Sequence, residues 1–202
     1  MKWLFCALLL APFGAQAHDG VVHASDAEAS AHAGEGLPLP FNLGGAFALT
    51  DQHGATRTQA NPQGHMQLMF FGYANCQEIC SVALPQMADI AHGLAAQGLP
   101  VTPVMVTVDP VRDTPALMGA ALQKLHPDFV GLTGDDAALA HVYKLFSIDN
   151  ELVFEDPASG PVYAHGSFLY LLDAEGAFLT VLPPILSTDR MIEIIAGYAK
   201  RS

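Results

Sequence analysis

A continuous apolar run, "QLMFFGY" at residues 67–73, demands cover on both of its faces. Alternation of apolar and polar residues marks a strand with one wet side, and an unbroken run marks a strand buried on both. "VTPVMVTVD" at 101–109 reads as a second such strand. Between them, "EICSVALPQMADIAHGLAAQ" sets Ile79, Leu84, Met87, Ile90, Ala91 and Leu94 at helical spacing, with Gly98 as the stop.

The remaining elements follow from caps and turns. Thr114 caps a helix with Pro115 at its first position, running through "ALMGAALQKL" until His126-Pro127 ends it. A short strand from Phe129 to Leu132 leads into the amphipathic helix "DDAALAHVYKLF". "SFLYLLD" and "AFLTVL" are strands joined by the turn Asp173-Ala174-Glu175-Gly176, and Ser187 caps the last helix, "TDRMIEIIAGYAK". Upstream, "GGAFALTDQHGATRT" alternates around Asp51-Gln52-His53-Gly54 and reads as a β-hairpin. This order predicts an α/β fold: a thioredoxin-like sheet with helices on both faces, an added N-terminal β-hairpin and a strand-helix insertion.

The chain of 202 residues is the size of one domain with a short appendage. "MKWLFCALLLAPFGAQA" has the layout of a secretory signal peptide, residues 1–17, with a small-x-small site at Ala15-Gln16-Ala17. Its apolar run is shorter than the roughly 20 residues of a spanning helix; the alternative is an N-terminal membrane anchor. Residues 18–36 are Ala, His, Gly and acid, with little to bury, and read as a disordered tail; the folded domain is expected over 37–202. Export places the protein in the periplasm. The net charge of −12 argues against nucleic acid or an anionic membrane as partner, so a membrane is reached only through a membrane-bound client.

Of the three cysteines, Cys6 belongs to the leader, leaving Cys76 and Cys80 in "FGYANCQEIC". One bridge closing so short a loop adds little stability to a domain this large. Cys76 follows the carboxyl end of a buried strand, where sites form in open α/β sheets. Residues i and i+4 on a helix's first turn share a face, and the helix N-terminus favours the thiolate. Both metal binding and redox exchange use that thiolate. Helical i, i+4 neighbours stand about 5–6 Å apart at Cβ, whereas a disulfide wants about 3.5–4.5 Å; a metal between the sulfurs needs no distortion. In thioredoxin-like folds the loop before the next antiparallel strand packs against the cysteine turn. Here that loop is "VYAHGS", whose His165 would complete an S₂N donor set suited to copper, Cu(I) or Cu(II).

"FGYANCQEIC", "VTVDPVRDTP", "LTGD" and "AHGSFLYLLD", in that order, resemble the Sco/SenC family of copper-binding, thioredoxin-like proteins, from about Gly44 to the C-terminus. The resemblance implies an exported copper chaperone that helps to build the dinuclear copper centre of cytochrome c oxidase. Its partner would be the oxidase's copper-centre subunit or another periplasmic copper chaperone. It also implies Cys76, Cys80 and His165 as ligands, with Asp109 and Arg112 near the site, supporting the loop or contacting a partner. The family pattern resembles T-x-C-P-x-x-C-P; Ala74, Gln77 and Ser81 depart from it, and Ala164 stands where an acidic residue often precedes the histidine.

The alternative is an exported thiol-disulfide oxidoreductase that reduces cysteines of a copper-site client, with Cys76 and Cys80 as the redox pair. A peroxiredoxin would need a threonine three residues before its reactive cysteine, and Tyr73 and Gln77 occupy those places. No catalytic residue is required otherwise. In the tail, His18, His23 and His32 are accessory candidates for capturing metal. His53, His92, His126 and His141 read as structural or solvent-facing.

Overall fold

The computed structural model describes residues 43–74 and 80–201, and of Cys80 the backbone only. The expected leader, the tail with His18, His23 and His32, and Cys76 lie outside the described residues.

In chain order the described elements are β1 (Ala48–Asp51), β2 (Thr56–Thr58), β3 (Met66–Gly72), α1 (Cys80–Ala95), β4 (Val101–Thr107), α2 (Pro115–Leu122), β5 (Val130–Thr133) and α3 (Asp136–Phe146). They continue as β6 (Glu151–Asp156), β7 (Gly160–Ala164), β8 (Leu169–Leu172), β9 (Phe178–Leu182) and α4 (Thr188–Ala199). Seven strands form one sheet in the order β2-β1-β5-β4-β3-β8-β9. β3, β4 and β5 run parallel, while β1, β8 and β9 are antiparallel to their neighbours.

The two apolar runs lie at the middle of the sheet. β3 is hydrogen-bonded on both edges, to β4 and β8, and all seven residues of β4 are buried. α1 and α4 pack on each other and α1 on β3 and β4, α2 packs on β5, and α3 lies against β1. From α3, the rings of Tyr143 and Phe146 reach Phe71 of β3, with centroids 6.2 and 5.3 Å away. This is the expected thioredoxin-like α/β sheet with helices on both faces. The opening hairpin is present too: Asp51 Oδ1 accepts from the His53 and Ala55 amides and Gly54 takes φ +80, a conformation that favours glycine.

Thr114 and Ser187 cap their helices by accepting from Leu117 N and Arg190 N. α2 ends at Leu122, short of the expected Leu125, because the amides of Leu125 and His126 both turn back to the Leu122 carbonyl. A larger difference lies before His165. The segment read as a loop there contains β7, which pairs with β6 in a separate two-stranded sheet. Its turn is built by Asp156, whose Oδ1 accepts from Ala158 N, Ser159 N and Ser159 Oγ, followed by Gly160 at φ +80.

Candidate metal centre

Three chain segments meet at the carboxyl ends of β3 and β4. The first is β3 itself, which runs out through Tyr73 and Ala74 toward Cys76, outside the described residues. The described part of α1 begins at Cys80. The second is the turn after β4, from Asp109 to Asp113, held to β3 by Val108 N donating to Gly72 O at 2.9 Å. The third is the β6–β7 hairpin, whose exit delivers His165 directly after Ala164.

His165 is half-buried. Its ring meets Phe70 and Tyr73 edge-on, at centroid distances of 5.7 and 5.8 Å. Nδ1 lies 3.1 Å from the Gly166 carbonyl. A carbonyl only accepts, so Nδ1 carries the proton in this contact, and Nε2 is the ring atom that can serve as a metal donor. An imidazole oriented through Nδ1–H by a backbone carbonyl is the arrangement metal-binding histidines commonly show. Tyr73, the last buried residue before the cysteine segment, also meets Tyr163 edge-on at 5.9 Å.

The Asp109–Asp113 turn carries the polar machinery. Asp109 is buried and pairs with Arg112 Nε. The Arg112 guanidinium donates to Ser159 O (2.5 Å) and Pro161 O (2.7 Å) and lies 5.4 Å from the Tyr73 ring centroid. Asp113, also buried, accepts from Ala74 N through both oxygens (3.2 and 3.0 Å) and from Thr107 Oγ1 at 2.8 Å. Asp109 and Arg112 thus sit beside the strand that enters the cysteine segment. Asp113 and Tyr163 were not singled out in the sequence. A turn aspartate looks alike whether it caps or holds a strand end, but Tyr163 lies on β7 two residues before His165, which follows the strand's end, and both rings meet Tyr73.

Burial raises the Asp113 carboxyl to about 6, against the hydrogen bonds from Thr107 and Ala74, which favour its ionised form. The sign for stability follows. Below pH 3.8 the group is protonated in both states. Between 3.8 and about 6 the unfolded chain ionises first, so stability falls as pH rises, by up to roughly 3 kcal/mol in all, and the loss is complete above the folded value. Asp113→Asn should remove this slope. Melting curves from acid to pH 7.5 should therefore show the wild type losing stability relative to the variant between the unfolded value of 3.8 and the folded value of about 6, and levelling off above it; parallel curves would assign the proton elsewhere.

Among the described residues, no group of three His, Cys, Asp or Glu side chains is placed to hold a metal ion. His165 is among those residues; Cys76 and the Cys80 side chain are not. The donors that are described fit a soft metal's third position: one imidazole, oriented by its own backbone, beside the strand that leads to two sulfurs.

Residues 36–200 match the family model SCO1/SenC. A SCO2-like protein of Rickettsia felis is 34% identical over 157 residues, 77% of this chain and 76% of that protein. The mitochondrial protein SCO1 of Saccharomyces cerevisiae is 32% identical over 181 residues, 85% of this chain and 59% of that one. Among solved structures, Arabidopsis thaliana ScoI with copper bound superposes with a TM-score of 0.74 at 25% identity, covering 79% of this chain and 99% of that one. Bradyrhizobium japonicum ScoI with copper bound gives 0.68 at 29%, covering 77% and 99%. With the model spanning nearly all of the described fold, this chain belongs to the SCO1/SenC family.

Proposed function

We propose that this protein is an exported copper chaperone that carries one copper ion on Cys76, Cys80 and His165 and delivers it to the copper centre of cytochrome c oxidase during assembly. The observation that carries this reading is His165: it is set against Tyr73, at the mouth of the cysteine segment, with its proton on Nδ1 and Nε2 as the ring atom that can serve as a metal donor. Relatives of the same fold and family have structures with copper bound, and two thiolates with one imidazole suit copper. Copper is here a cargo, and the chain's own task is to hold it and release it. The thiolates favour Cu(I), and the imidazole makes Cu(II) tolerable.

Copper titration of the reduced protein against a competing chelator tests the reading. The wild type should hold one copper per chain, and His165→Ala should bind it at least about 10-fold more weakly, the lower end of what losing even an outer-sphere partner costs. Full-strength binding by His165→Ala would remove the third ligand from the proposal. No tight copper in the wild type, with fast exchange against a disulfide substrate, would instead favour a thiol-disulfide oxidoreductase that reduces the client's cysteines.

A further inference from the structure

The two halves of the proposed copper site arrive on separate parts of the fold. The cysteine half leaves β3, in the centre of the main sheet. The histidine half leaves β7, whose strand pairing is with β6 alone. An isolated two-stranded hairpin is marginally stable in water, so the position of His165 depends on what ties that hairpin to the body.

We propose that Arg112 is a positioning residue that clamps the β6–β7 hairpin and thereby sets His165 against Tyr73 at the end of β3; this rests on the copper reading above. The guanidinium uses its donors in three directions. Nε meets buried Asp109, one terminal nitrogen donates to Ser159 O and the other to Pro161 O, on either side of Gly160. Its face lies toward Tyr73, which also touches Tyr163 and His165. Gly160 is bare for a reason: a Cβ there would lie 2.7 Å from the near guanidinium nitrogen, and its φ of +80 disfavours any side chain. The residue next to Arg112 completes the arrangement, because Asp113 holds Ala74 N, two positions before Cys76. Adjacent side chains of one turn therefore grip the two halves of the site. Lysine cannot replace the clamp: a flexible point charge has no planar fork to span a carboxylate and two carbonyls while facing a ring.

Two measurements on Arg112→Lys and Gly160→Ala, with His165→Ala as reference, test the clamp. In copper-free protein, hydrogen exchange of the β6–β7 amides should quicken more than about 10-fold in both variants while the amides of β3 and β4 stay protected. In the Cu(II)-loaded protein, the nitrogen hyperfine signal that His165→Ala abolishes should weaken or disappear in both. Unchanged hairpin exchange in both variants would overturn the clamp. Faster exchange with a wild-type nitrogen signal would overturn the positioning role and leave Arg112 as a hairpin anchor only. Wild-type protein that shows no His165-dependent copper signal would overturn the copper reading instead, and with it the link from clamp to ligand, while the exchange data still decide whether the clamp exists.

Discussion

Replacing either Cys76 or Cys80 with serine is expected to abolish tight copper binding. A serine hydroxyl stays protonated at neutral pH and is a hard oxygen donor, whereas Cu(I) is selected by soft thiolates. In the proposed site, losing one sulfur leaves a single thiolate and an imidazole, and the affinity should fall by more than about 100-fold, beyond the 10- to 100-fold typical of removing an outer-sphere partner. Competition titration of reduced protein reads this directly, with circular dichroism to verify the fold. A serine variant that holds copper as tightly as wild type would mean that the metal is bound elsewhere, and the tail with His18, His23 and His32 would be the first place to look.

Phe71→Ala should produce the largest loss of stability. Phe71 is fully buried in β3, with its ring packed on Tyr143, Phe146 and Tyr170 at centroid distances of 6.2, 5.3 and 5.6 Å. Removing a buried ring costs about 3–5 kcal/mol, from lost transfer energy and the cavity left behind. For a chain of this size that is roughly 6–20 °C of melting temperature. Val111→Ser is the control: Val111 is 85% exposed and should shift stability by less than about 0.5 kcal/mol. Urea unfolding of both variants decides the matter. A cost below about 1 kcal/mol for Phe71→Ala would mean that the three partner rings close over the space.

Much of the fold is legible in the chain. "QLMFFGY" and "VTPVMVTVD" are apolar throughout because both faces of β3 and β4 are covered, and Thr114 and Ser187 announce their helices because a side-chain oxygen can satisfy an orphan amide. The β6–β7 hairpin was harder to see. Leu152, Val153 and Phe154 stand together and are all exposed, so the period of two that marks a half-buried strand is missing. The signal that remained was the turn itself, Asp156 to Gly160, where one aspartate oxygen collects three hydrogen bonds.

The candidate site divides in the same way. Two cysteines four apart after a buried strand raise the thiolate chemistry from the sequence alone, because the residue type itself supplies the donor. Spacing alone does not single out one of nine histidines; His165 is reached from the sequence only through the expected fold, as the histidine of the segment before the antiparallel strand. It arrives at the end of β3 because β8 pairs with β3 and the preceding hairpin returns the chain to Tyr73. Arg112 is a further step removed. Its partners Ser159 and Pro161 contribute backbone carbonyls, which every residue possesses and which leave no mark in the sequence. Local periodicity, caps and donor identity follow from side-chain type. Contacts made through backbone groups across distant segments follow from topology, and they appear only once the chain has folded.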